Sequence, residues 1–292
     1  YLSEGAPIGF LWLAFPTRLR DNRVPLADIT WLTAILVLPW TFKFAWAPCV
    51  DVLRARWWNH RHWILASQTI MASSLVPLFW LDLKGDLAWI SPLLLIHAFA
   101  AATQDVAIDA LCISVTDPHE RGELNGWMQC GMFLGRAMMG GGALILAAYI
   151  GESRVVGLLI AITSFSMFMV IGSHSPRIET TGKGSLVSRA QSLLREIGQA
   201  LKQSNTWKGL FLAFVGGAAF KSLEVIYGPF LIDRGYDKET IGWFSAGPMI
   251  VSMILGAIVG GWWADRGDRK RSVAVPLMMI ASLIAILALS DW

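Results

Sequence analysis

Charge is scarce in this sequence. Asp, Glu, Lys and Arg make up 15% of its 292 residues, against about a quarter in an ordinary soluble domain. With 55% of residues apolar, a soluble fold of this size would have too little polar surface to cover its core. A soluble globular enzyme is excluded, and so is a disordered chain. Cysteine is nearly absent. Cys49, Cys112 and Cys130 lie in apolar segments without CxxC or Cys/His ligand spacing, so no disulfide framework, metal site or cofactor is expected. HExxH, GxSxG and P-loop motifs are also missing, and no catalytic residue is assigned. What remains is an all-α polytopic membrane protein that needs the lipid bilayer as its solvent and has no nucleic-acid partner. At roughly 20 apolar residues per span plus connections, the length suits about nine or ten helices.

Apolar runs bounded by charges or turn residues predict nine spans. They are Tyr1–Thr17, Thr30–Val50, Trp63–Leu81, Leu87–Val115, Asn125–Ile150, Val155–Ser173, Trp207–Ile232, Ile241–Ala264 and Ser272–Leu289. The first begins inside an apolar run and the last ends in one, so we expect a piece of a longer protein. Connections are short except His174–Thr206, where Leu186, Leu193, Leu194, Ile197 and Leu201 recur at helical spacing. That spacing predicts an amphipathic surface helix. The expected organisation is 1–173 (six helices), 174–206 (linker) and 207–292 (three helices of a second unit).

Fourteen of the 24 Lys and Arg residues fall on the side that includes the linker, and seven on the other. The richer side is expected to be cytoplasmic, in a cell membrane. Asp51 with Arg54 after the second span echoes Asp265 with Arg266 and Arg269 after the eighth. Equivalence of spans 2 and 8 would follow from duplication of a six-helix unit.

Seven ionisable residues lie within spans: Glu4, Lys43, Asp105, Asp109, Arg136, Lys221 and Glu224. Each costs at least about 2.5–3.5 kcal/mol at mid-helix unless paired or facing a wet cavity. Matched distances from the hairpin turns predict a Glu4–Lys43 ion pair and place Asp105 near the depth of Arg136. Asp105 and Asp109, four residues apart, share a helix face. Two carboxylates so close disfavour double ionisation, which suits a proton relay. Lys221 and Glu224 are spaced to neutralise each other. Gly131-x-x-x-Gly135 and Gly256-x-x-x-Gly260 are read as helix contacts. Gly5-Ala6-Pro7 and Pro39 are read as breaks or bends beside a cavity. Trp57, Trp58, Trp262 and Trp263 are read as interfacial anchors.

Several stretches resemble one family. Phe42-Lys43-Phe44-Ala45-Trp46-Ala47-Pro48-Cys49-Val50-Asp51 is similar to F-K-F-x-W-[SA]-P-x-x-D, and Thr103-Gln104-Asp105-Val106-Ala107-Ile108-Asp109 fits [ST]-Q-D-[IV]-x-x-D. Gly5-Ala6-Pro7 and Glu120-Arg121-Gly122 also fit. These are signatures of the muropeptide permease (AmpG-like) and acetyl-coenzyme A transporter family, a branch of the major facilitator superfamily. Gly261–Lys270 resembles the superfamily's G-x-x-x-D-R-x-G-R-[RK] loop, with Asp268 in place of its second glycine, and His60-Arg61-His62 stands where the family has a basic triplet.

The resemblance implies a major facilitator fold of two six-helix bundles, the second cut short here after three helices. It implies alternating access and proton-coupled uptake of a bulky small-molecule substrate by a monomer. Asp105, Asp109, Glu4 and Glu224 are then the candidates for proton coupling at the cavity. Lys43, Gln104, Arg136 and Lys221 are the candidate substrate contacts or counter-charges. Asp51, Arg54, Asp265, Arg266 and Arg269 are the candidate gating-loop residues. Two other readings stay open: a receptor or assembly factor on the same fold, and a membrane-embedded transferase using His97 and Asp105.

Overall fold

A computed structural model describes residues 1–53, 58–82, 85–117, 121–172, 186–266 and 269–290. These residues form helices joined by short turns, and no strand element occurs among them. Helix α1 covers residues 2–21 in three pieces: Leu2–Gly9, a π-helical turn Phe10–Ala14, and Phe15–Asp21. The cause is local. Pro16 has no N–H to give to the preceding turn, and the Phe15 N–H reaches back five residues to the Phe10 carbonyl.

The other helices follow the apolar runs. They are α2 (Leu26–Val52), α3 (His60–Leu75, continued by a 3-10 turn Val76–Phe79), α4 (Leu87–Val115) and α5 (Arg121–Met139 and Gly141–Ile150). After them come α6 (Glu152–Gly172), α7 (Leu186–Leu201), α8 (Ser204–Asp233), α9 (Lys238–Ala246 and Pro248–Arg266) and α10 (Arg269–Ser290). Every expected span is a helix, and α7 is the amphipathic segment. Two departures are breaks: α5 is interrupted at Gly140, and α9 at Gly247 before Pro248. Five segments are long and apolar enough to cross a bilayer: Leu26–Val50, Leu87–Val115, Leu124–Ile150, Glu152–Gly172 and Lys238–Gly260. Large apolar side chains such as Phe165, Phe168 and Leu283 are exposed on the outer faces. Only hydrocarbon makes such a surface stable, so the chain is a multi-pass membrane protein.

The substituted triplet after Asp51 has a structural role. The Asn59 side chain accepts the His62 N–H, while His62 Nδ1 accepts the Asn59 N–H, and this capping box starts α3. Trp58 stacks on the His62 ring at 5.6 Å between centroids. The side chains of Trp57, Trp262 and Trp263 lie outside the described residues.

Helix α1 packs most extensively on α5, α3 on α4, and α2 on α4. The α1–α5 contact runs backbone to backbone. A Cβ on Gly5 would collide with the Met132 carbonyl, one on Gly135 with the Leu2 carbonyl, and one on Gly9 would lie 2.5 Å from the Arg136 carbonyl. Gly5-x-x-x-Gly9 is therefore a packing motif that meets Gly131-x-x-x-Gly135, and not a helix break. Gly256 and Gly260 behave otherwise, since a Cβ on either meets nothing within 4 Å. A Gly135→Leu variant is expected to lose at least about 1–3 kcal/mol to overpacking, whereas Gly256→Ala leaves thermal stability in detergent unchanged. A melting curve of each variant checks both.

Candidate functional site

The α2–α4 contact brings the family-like motifs together. Lys43 Nζ lies 2.5 Å from Asp105 Oδ2. The Trp46 indole donates to Thr103 Oγ1 at 3.2 Å and stacks on Phe99 at 4.6 Å. One turn along α4, Asp109 Oδ1 accepts a hydrogen bond from the Tyr1 hydroxyl. From α1, Glu4 is buried at 1% exposure and lies within hydrogen-bonding reach of Asp105. Three carboxyl groups and one ammonium thus form a single cluster where α1, α2 and α4 meet.

The pairing differs from the depth-matched expectation. Lys43 takes Asp105 and not Glu4, because α2 packs on α4 while α1 packs on α5. Equal depth in a hairpin does not ensure contact when the two helices have other neighbours. Arg136 does not join the cluster's Lys43–Asp105 pair either. It lines a cavity of about 350 Å³ with Ile8, Gly9, Trp12, Tyr227, Met249 and Met253. This cavity lies between α1 and α5 on one side and α8–α10 on the other. Among the described candidates, Arg136 lines it.

Gln104 is fully buried beside Asp105, and neither of its amide atoms has a hydrogen-bond partner. His97 is also fully buried; its Nδ1 bonds with the Met71 carbonyl at 3.1 Å and lies 3.4 Å from Ser74 Oγ. That is a structural histidine, which removes the footing of a transferase. Glu224, Lys221, Asp51, Asp265, Arg266 and Arg269 have side chains outside the described residues, and Arg54 lies wholly outside them. No group of three or more His, Cys, Asp or Glu side chains able to hold a metal occurs among the described residues.

A third set of contacts was hidden among charges that read as loop residues. At the end of the molecule away from the linker, Arg20 makes a two-pronged bond to Asp233 at 2.8 and 3.1 Å. Lys238 Nζ lies 2.7 Å from Asp21 Oδ2, and the Tyr149 hydroxyl donates to Glu239 at 2.9 Å. Asp237 caps α9 there, and the Thr240 N–H bonding to it holds its carboxyl below the usual carboxylate range. Glycines close the same end. A Cβ on Gly141 would lie 2.5 Å from the Gly242 carbonyl and the Ala246 nitrogen, and Gly228 abuts Thr17. Helices α1 and α5 are thereby locked to α8 and α9 at this end. Arg18 is buried at 1% exposure on α1, with Glu152 of α6 at 2.6 Å.

Comparison with known proteins is consistent with this architecture. The family model described as Major Facilitator Superfamily matches residues 1–292. The anhydromuropeptide permease of Escherichia coli K12 is 26% identical over 241 residues, covering 81% of this chain and 48% of the permease. A Rickettsia conorii protein bearing the transporter name AmpG 4 is 22% identical over 267 residues, covering 88% of this chain and 64% of its own length. An uncharacterized Haemophilus influenzae protein is 26% identical over 270 residues, covering 89% of this chain and 61% of its own. The chain therefore spans between about half and two thirds of these relatives.

Proposed function

The chain belongs to the major facilitator superfamily, and on that premise we propose that the protein is a secondary active transporter in which proton entry drives uptake of a bulky solute. The name of the Escherichia coli relative supports a muropeptide as that solute. Residues 1–173 and 207–292 are assigned to the two bundles of the fold, with 174–206 joining them on the cytoplasmic side of a cell membrane. The protein works as a monomer that binds protons and one small-molecule substrate at a time.

One observation carries the proposal: the Glu4, Lys43, Asp105 and Asp109 cluster where α1, α2 and α4 meet. Carboxyl groups gathered this closely disfavour double ionisation. The approach of Glu4 to Asp105 beside Lys43 is therefore a place where one proton changes the balance of a half-buried ion pair. Helix α1 links that balance to the substrate. It carries Glu4 near its start, Trp12 and Leu13 at the cavity wall, and Arg20 and Asp21 at the ties to α8 and α9. The π turn and Pro16 after it give α1 a place to bend between these points. With a cytoplasmic linker, the locked end faces outward, so this arrangement is closed to the outside. Asp51, Arg54, Asp265, Arg266 and Arg269 are proposed to close the opposite end in the other state, and Lys221 and Glu224 to serve α8 at the substrate path.

The protein in proteoliposomes, given labelled anhydromuropeptide and an imposed proton gradient, is expected to accumulate it and to lose the accumulation when a protonophore is added. Accumulation indifferent to the gradient overturns the proton claim, and none under any gradient overturns the solute. Arg136 is the cavity's anion contact in this reading. Arg136→Gln is expected to weaken solute binding about tenfold or more, as loss of a hydrogen bond to a charged group would. A binding titration of both proteins checks it.

A further inference from the structure

Several polar atoms deep within α1–α6 have no hydrogen-bond partner. They are Glu4 Oε2, Gln68 Oε1, both amide atoms of Gln104, and His97 Nε2. Their side chains are almost sealed, with exposures of 1% for Glu4 and Gln68 and 0% for Gln104 and His97. Orphaned polar atoms are destabilising in a dry interior, and in hydrocarbon no solvent lies behind the helices to relieve them.

The contacts place most of these atoms at one level. Gln68 of α3 donates to Ser166 Oγ of α6 at 2.9 Å, and Ser3 of α1 donates to the same oxygen at 2.9 Å. Glu4 follows Ser3 and reaches Asp105 of α4. Helices α3 and α4 run antiparallel with His97 against Met71. Two turns along α4, Gln104 is then level with Ile64 of α3, about one turn from Gln68. Helices α1, α3, α4 and α6 thus contribute oxygen-bearing side chains to one buried layer, within about one turn of each other.

We propose that this layer binds a small cluster of ordered water. A buried water needs two to four polar partners, and the layer offers Glu4 Oε2, Gln68 Oε1 and the Gln104 amide beside the Ser3–Ser166 hydroxyls. The cluster is also the route by which a proton reaches Glu4. Each oxygen in the chain receives one proton as it passes one on, and the last transfer forms the Glu4 O–H. This second part rests on the proton-driven reading above, whereas the hydration stands without it. The proton path then runs inside α1–α6, and the solute path runs between the two halves.

Hydroxyl-radical labelling by X-ray pulses reports side chains that touch bound water, and it needs no transport. Met71 and Met139 are both fully buried. Met71 sits beside the layer, while Met139 sits in the apolar cluster with Phe10 and Leu144. Met71 is expected to be labelled and Met139 not, and Gln104→Leu is expected to abolish the Met71 label and lower the melting temperature. Gln68→Leu is expected to slow gradient-driven uptake while solute counterflow is kept. An unlabelled Met71 together with a raised melting temperature in Gln104→Leu overturns the proposal, since removing orphaned atoms from a dry core stabilises it. A labelled Met71 in a protein that shows no gradient-driven uptake supports the water site and overturns the transport reading alone.

Discussion

Replacing Glu152 with leucine is expected to destabilise the protein by about 3 kcal/mol, at the low end of the loss incurred when one partner of a buried ion pair is removed. Arg18 is the reason. Its side chain is 1% exposed, Nε and Nη2 both bond Glu152, at 3.0 and 2.6 Å, and Nη1 has no partner. Without Glu152 the charge stays in the interior unpaired. The carboxylate is itself 43% exposed, which holds the loss to the low end of that range. Removing both charges removes the problem. An Arg18→Met/Glu152→Leu double variant is expected to melt near the unaltered protein, because an apolar pair of similar volume is often neutral. Denaturation in detergent of the two single variants and the double gives the coupling energy directly. Equal losses in single and double variants would show that Arg18 packs without needing its counter-charge.

The second large effect concerns the closed end. Gly141 and Gly242 let α5 and α9 meet backbone to backbone, and a Cβ at Gly242 would lie 2.7 Å from the Gly141 carbonyl and from Ile145. Gly242→Val is expected to cost that arrangement about 1–3 kcal/mol by overpacking, which shifts the balance between two orientations by about 5- to 150-fold. Spin labels at Asn22 and Tyr236, exposed residues flanking the Arg20–Asp233 tie, are expected to report a longer distance in the variant. Arg20→Ala and Lys238→Ala should shift the same distribution less, since each exposed ion pair contributes about 0.2–1 kcal/mol. An unchanged distance in Gly242→Val would mean that the end is fixed and takes no part in alternation.

Much of this architecture could be read from the chain. The apolar runs located every helix because a bilayer demands long unbroken spans, and α4 and α7 begin and end where patterning placed them. The charges inside spans pointed to Lys43, Asp105, Asp109 and Glu4, since hydrocarbon makes each one costly. Rotational phase was not legible. Depth alone could not say that Lys43 turns toward Asp105 of α4 and not Glu4 of α1, because that depends on which helices become neighbours. Arg18 read as a loop charge and is among the most deeply buried side chains. Its partner Glu152 lies 134 residues away, and no local pattern signals such a pairing. Gln68 and Ser166 carried no signal at all, being single polar residues in apolar helices. Gly5 and Gly9 did carry one, at the same four-residue spacing as Gly131 and Gly135, but Pro7 between them suggested a bend instead.

The carboxyl cluster where α1, α2 and α4 meet is proposed as the place where the driving proton acts. Uptake by proteoliposomes under an imposed proton gradient, measured for an Asp105→Asn/Asp109→Asn double variant shown to fold by its melting curve, tests that most directly. The expected result is loss of gradient-driven accumulation. Accumulation at the unaltered rate would contradict it.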